Sequence, residues 1–251
     1  PELPYWNDPE LPYQWHLVND GNLKSEKFIA GSDVNVLGAW EKCTGDPSII
    51  VAVVDEGVDC FHEDLRASMW VNEGEIWRSH EDNDGNGYAG DVHGYNFARN
   101  SGVISTDSKY DSGHGTHVAG VIAAQNNNGL GISSIAGGDG VNPGVRIMSC
   151  QIFSGDDSAG DARAAVAIKY AADHGASILQ CSFGFEAGQA RYDNAFEAAN
   201  PLEVEAMRYF MSKKNCDAID GGLIFFSSGN EGAPMSGYPA AYRDYISVTA
   251  F

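Results

Sequence analysis

The run Ile49-Ile50-Val51-Ala52-Val53-Val54 is apolar without interruption and stops at a carboxylate, Asp55. A strand with no polar alternation has to be covered on both faces, which is the setting of a parallel sheet. Strand-like runs recur at residues 145–152, 176–182, 222–228 and 245–250, with helical stretches at 161–173 and 201–214 between them and a short helix expected over 34–42. Strands alternating with helices of this length predict an α/β fold, a three-layer α/β/α sandwich around a mostly parallel, doubly wound sheet. Open sheets of this kind carry their chemistry at the carboxyl ends of the strands. That places Asp55 where a functional group is expected.

Two further polar positions share that logic. In Asp111-Ser112-Gly113-His114-Gly115-Thr116-His117-Val118-Ala119-Gly120, a glycine-spaced polar segment turns into a small-residue helix, so His114 opens a helix and faces a cleft. Asn230 follows the strand-like run 223–228, and an amide there is a natural donor to a developing oxyanion. Each has a plain explanation when taken singly: a helix cap, a surface histidine, a turn residue. Together, at the ends of separate elements above one sheet, they predict a catalytic constellation in which a carboxylate orients a histidine.

The remaining organisation is simple. Residues 1–30, rich in Pro, Trp and Tyr, read as an N-terminal arm over the domain surface, and residues 31–251 as one catalytic domain, a size that 251 residues can close around a single core. Residues 72–112 read as a long polar connection, the kind that is usually functional or ion-stabilised. Within it, residues 81–91 place oxygens at alternate positions, with Asp82, Asp84 and Asn86 before Asp91, and a glycine at the sixth, which fits the acidic start of a calcium loop. The bidentate glutamate of an EF-hand is missing, since His93 stands in its place. The same loop contains Gly85-x-Gly87-x-x-Gly90, but no strand precedes it and its acids would repel a pyrophosphate, so it is no dinucleotide site.

Charge excludes some partners. Fifteen basic against 35 acidic residues give a net charge of −20, which argues against nucleic acid, whose binding needs a basic surface. No apolar run is long enough to span a bilayer. The chain opens Pro1-Glu2-Leu3-Pro4, like a mature or trimmed product, and its acidity suits a secreted, extracellular or periplasmic protein. Five cysteines leave at least one unpaired within the chain, and Cys150 and Cys181 sit in apolar runs as small core residues.

The chain resembles the subtilisin-like serine peptidases. The resemblance rests on Val53-Val54-Asp55-Glu56-Gly57-Val58-Asp59, His62-Glu63-Asp64-Leu65, Gly113-His114-Gly115-Thr116-His117-Val118-Ala119-Gly120, Cys181-Ser182-Phe183-Gly184 and Ser228-Gly229-Asn230-Glu231-Gly232. It implies endopeptidase chemistry on protein or peptide substrates. Asp55 would orient the imidazole, His114 would act as general base and then acid, Asn230 would serve the oxyanion, and His117 would be structural. Ser182, Phe183 and Gly184 would pair with an extended substrate backbone, with Asp156 and Asp157 on the opposite rail. Asp156, Asp157 and Glu231 would then favour Lys or Arg at the cleaved position. Asp64 would serve a second calcium.

There are two departures. Glu56 stands where the family usually has Thr or Ser, which brings a second carboxylate near His114. The family's nucleophile lies in a Gly-Thr-Ser-Met-Ala helix start, and no such motif follows Asn230; Ser236 and Ser247 open no helix. The expectation is a C-terminally incomplete subtilase, inactive alone and prone to self-association through uncovered apolar surface. Two other readings remain: a non-catalytic peptide-binding pseudo-peptidase, and a metallohydrolase holding zinc with His114, His117 and Asp55.

Overall fold

A computed structural model describes residues 6–21, 29–155, 157 and 159–250. Six parallel strands form one sheet: β1 (Ile50–Asp55), β2 (Gly94–Asn96), β3 (Arg146–Gln151), β4 (Ile178–Cys181), β5 (Leu223–Ser227) and β6 (Ile246–Val248). Their order across the sheet is β2-β3-β1-β4-β5-β6. The helices are α1 (Leu37–Trp40), α2 (His114–Ala123), α3 (Asp161–Asp173), α4 (Asp193–Ala199) and α5 (Pro201–Ser212).

The apolar run of β1 divides between two faces because side chains alternate along a strand. Val51 and Val53 pack with Ala119 and Ala123 of α2. Ala52 and Val54 join the larger core formed with α3 and α5, around Met148, Leu179, Ile168, Phe210 and Phe226. Burying one such large side chain fully contributes roughly 1.5–3 kcal/mol. This is the three-layer α/β/α arrangement expected. Cys150 and Cys181 are wholly buried within it, and all five cysteines are free thiols.

After β3 the chain crosses β1 to build the other half of the sheet, so β1 lies at the switch between the two halves. Its carboxyl end therefore opens on a crevice, and Asp55 stands there. The first turn of α2 approaches this strand end very closely. A Cβ on Gly115 would lie 2.3 Å from the Glu56 carbonyl oxygen, so only glycine lets the helix start where it does.

The described part of the arm packs on the domain. Asp8 accepts hydrogen bonds from the backbone of Asn127 and Asn128 and from the Ser133 hydroxyl, and Gln14 exchanges two with the Ser133 backbone. Its Leu11 and Leu17 form a small cluster with Val36.

Three elements depart from the sequence reading. The helix expected over 34–42 shrinks to Leu37–Trp40, because Asn35 takes a left-handed conformation at φ 52°. The connection 72–112 contains β2, hidden behind Gly94: at φ +116° its Cβ would strike the Ser149 carbonyl at 2.0 Å, so a strand residue here has to look like a loop residue. The seven-residue α4 buries only Phe196 fully and carries too little periodicity to be read. Among the described residues, no helix is long and apolar enough to cross a membrane.

Candidate active site

β1 delivers Asp55 and the start of α2 delivers His114, and the two meet. His114 Nδ1 lies 2.7 Å from Asp55 Oδ1, with side-chain exposures of 48% and 3%. A buried carboxylate holding one imidazole nitrogen leaves the other ring nitrogen on the solvent side, free to take a proton. The same Oδ1 accepts the backbone N–H of Glu56 at 2.7 Å, while Oδ2 has no partner among the described residues. Burial pushes the Asp55 carboxyl above its ordinary value, partly opposed by the bonds from His114 and Glu56.

The pair opens on a cleft of about 420 Å³ lined by Glu56, Ser112, Phe153, Gly155, Asp157 and Ser182. Ser182 also lines a second cleft of about 260 Å³, together with Phe183, Gly184, Asn230 and Glu231. The structure thus joins the Asp55–His114 pair to the Asn230 region through Ser182. Phe183 is fixed edge-on between Phe153 and Phe226, with ring centroids 5.4 and 5.5 Å away. Among the described residues, two serines line the His114 cleft. The Ser112 hydroxyl donates to Glu56 and the Ser182 hydroxyl accepts from Gln180. Ser236 and Ser247 bond each other.

The acidic rail is less open than the sequence suggested. Asp157 is paired with Arg163 at 3.0 Å, which offsets its charge, and Asp156 lies outside the described residues together with Ser158. Glu231 remains exposed in the second cleft. The Glu56 carboxylate does not reach the imidazole; it accepts from the backbone N–H of Ser112 and of His114.

The zinc arrangement of His114, His117 and Asp55 is not formed. His114 is committed to Asp55, whereas the exposed His117 lines a separate cavity with Asp59, His62, Asp64 and Asp111. Among the described residues, the side chains close enough to share a cation are Glu75, Asp82 and Asp84, whose ligand atoms lie within 4.8 Å of one another. Glu75, upstream of the alternating oxygens, gave no signal in the sequence.

The other calcium candidates sit differently. Asp91 is fully buried, accepting from the Tyr170 hydroxyl at 2.6 Å and from the amides of Asn72 and Asn86. Burial raises its carboxyl, opposed by these bonds. It braces the loop from below. Asn86 points its amide nitrogen at Asp84 and Asp91 and its oxygen at the Tyr88 N–H. Asp64 stands elsewhere, bonded by the Asn128 amide and the Ile132 N–H, and serves as a tie to the 125–132 turn.

The family model described as Subtilase family matches residues 46–251. Halolysin of Haloferax mediterranei is 30% identical over 235 residues, which is 94% of this chain and 36% of the relative. The cell wall-associated protease of Bacillus subtilis is 30% identical over 247 residues, 97% of this chain and 22% of the relative. Subtilisin-like protease 1 of Plasmodium vivax is 34% identical over 168 residues, 66% of this chain and 24% of the relative. The chain thus spans between 22% and 36% of the length of these relatives. In fold it is similar to a protease from Pseudoalteromonas arctica (TM-score 0.60, 22% identity, covering 98% of this chain and 65% of that one). It is also similar to the Aeromonas sobria serine protease solved with its chaperone (TM-score 0.61, 20% identity, 90% and 32%).

Proposed function

This chain belongs to the subtilase family, and on that premise we propose that it forms the Asp- and His-bearing part of a subtilisin-like serine endopeptidase. The observation that carries this reading is the 2.7 Å contact between His114 Nδ1 and the buried Asp55 at the switch point of a parallel sheet. In the mechanism, Asp55 holds the imidazole with its far nitrogen toward the cleft. His114 takes the proton of an attacking serine and returns it to the leaving amine. Asn230 donates its amide to the oxyanion. No Gly-Thr-Ser-Met-Ala helix start follows Asn230, so on this reading the attacking serine is not among residues 1–251, which are expected to be inactive alone.

The substrate is an extended peptide. Ser182, Phe183 and Gly184 offer one rail of main-chain groups, and the opposite rail expected at residues 156–159 lies in part outside the described residues; such a strand-addition mode takes affinity from backbone hydrogen bonds and specificity from side pockets. Glu231 favours Lys or Arg at the cleaved position. The test uses the protein at its full natural length. It is expected to cleave an unstructured peptide series after Lys or Arg and to be inactivated stoichiometrically by a fluorophosphonate. Peptide binding without turnover or labelling overturns the peptidase reading in favour of a pseudo-peptidase, and a purely apolar preference removes only the role of Glu231. The names of the relatives, a cell wall-associated protease among them, support an extracellular place of action.

Calcium belongs to the same proposal. Glu75, Asp82 and Asp84 offer three hard carboxylate donors in close mutual reach, a set that suits this ion. Bound there, calcium would tie the loop that leads into β2, with no part in the chemistry. Excess calcium over chelator is expected to raise Tm by about 6–12 °C, from about 3 kcal/mol of ligand stabilisation at a hundredfold Kd and about 2–4 °C per kcal/mol. Superimposable melts with and without chelator would remove calcium from the account.

A further inference from the structure

Beside the Asp55–His114 pair lies a second pair of carboxyl groups that the peptidase mechanism does not use. Glu56 Oε2 accepts three hydrogen bonds from the segment leading into α2: from Ser112 N at 2.9 Å, Ser112 Oγ at 2.8 Å and His114 N at 3.2 Å. Asp111 runs the opposite way, accepting from Gly113 N at 2.8 Å and, at the end of β1, from Gly57 N at 3.1 Å. The two carboxyl groups are themselves within hydrogen-bonding reach of each other. Each side of the junction thus lends the other an acid, and His114 sits where the two meet.

We propose that Glu56 and Asp111 are a proton-sharing pair of positioning residues that fastens residues 111–114 to the end of β1 and so holds the His114 imidazole on Asp55. Two adjacent carboxylates repel, and one proton between them turns the repulsion into an O–H···O bond. The three donors on Glu56 favour its ionised form, so the proton resides on Asp111. Burial and then the Glu56 neighbour push the Asp111 carboxyl up to about 6. Glu56 is held below its ordinary value: partial burial opposes this, but the bonds from Ser112, Asp111 and His114 outweigh it. The fastening is therefore complete at low pH and weakens as pH rises through about 6, when the proton leaves to solvent and the two carboxylates face each other.

Other titratable groups share the two clefts with the pair: Asp55 and Asp59 from the end of β1 and the loop after it, His62 and Asp64 from the turn beyond, and His114 and His117 from α2. Across the cleft Asp157 is already paired with Arg163, and Lys109 is turned onto the Tyr110 ring. The pair accordingly titrates as a unit.

This inference rests on reading His114 as the general base, but its test does not require turnover. In the full-length protein, carboxyl-carbon NMR follows Asp111, and the low-field imidazole N–H signal follows the His114–Asp55 bond. Glu56→Gln keeps the acceptor and replaces the shared proton by a permanent N–H donor. The Asp111 midpoint is expected to fall toward the ordinary aspartate range, and the His114 signal to lose its dependence on pH across that range. Glu56→Ala removes the fastening. The low-field signal is expected to broaden away and kcat to fall about 10- to 100-fold, with KM nearly unchanged, the loss typical of a misplaced catalytic group. An Asp111 midpoint that stays near 6 in Glu56→Gln overturns the proposal, as does a folded Glu56→Ala variant with the parent's signal and kcat. If Glu56→Ala does not fold, the Glu56→Gln titration decides alone. Failure of the peptidase reading would leave that titration intact.

Discussion

Asp55→Asn is expected to lower kcat of the full-length enzyme by about 10⁴-fold while leaving KM nearly unchanged, the size of loss seen when a triad carboxylate is replaced by its amide. The cause is charge. Asp55 Oδ1 accepts from both the Glu56 N–H and His114 Nδ1; an amide oxygen in that place keeps both bonds but is neutral, so the imidazolium formed when His114 takes the serine proton loses its counter-charge. Stability should change little, because burial already disfavours the charge on Asp55 and the amide removes that penalty. A kinetic loss with an unchanged melting temperature separates this outcome from simple unfolding. Activity within tenfold of the parent would remove Asp55 from the catalytic assignment, and with it the central support of the proposed mechanism.

The second large effect concerns a residue far from the cleft. Glu203, in the first turn of α5, is 4% exposed and its Oε1 has no partner among the described residues. Burial, and then the nearby Asp161, push its carboxyl up to about 7. The folded state therefore prefers the protonated form. Stability from this group is complete below its ordinary value, near 4.5, and is lost as pH rises through about 7. By linkage the loss amounts to roughly 3 kcal/mol once the group ionises in both states. Glu203→Gln keeps the shape and cannot ionise. At pH 9 it should melt about 6–12 °C above the parent, using about 2–4 °C per kcal/mol, and below the ordinary value near 4.5 the two should nearly coincide. Parallel curves across that range would show that Glu203 is not the group whose ionisation weakens the fold.

Local pattern carried much of the architecture. The limits of α3 were readable at both ends because an alanine-rich amphipathic run begins at Asp161 and ends at Asp173 before His174-Gly175. β1 was readable because an unbroken apolar run admits few other settings. β2 was not, since Gly94 is chosen by a contact with Ser149 on β3, beyond the whole of α2 along the chain. α4 was missed because one buried phenylalanine makes no period.

The site divides along the same line. Asp55 and His114 could be named because each is tied to a local event, a strand end and a helix start, and those events place side chains in known directions. Glu56 and Asp111 could not be read as a pair, nor Glu75 as a neighbour of Asp82 and Asp84, because in each case residues far apart along the chain, or lacking a spacing rule, are brought together only when the elements pack. The sequence alone determined which residue types stand at the carboxyl ends of the strands and how those strands must be covered. Tertiary structure decided which acids face one another, that Arg163 occupies Asp157, and that His117 turns away from Asp55. The reason is physical: the covalent chain dictates the period and end of each element, whereas side-chain electrostatics depend on distances of a few ångströms that exist only after folding.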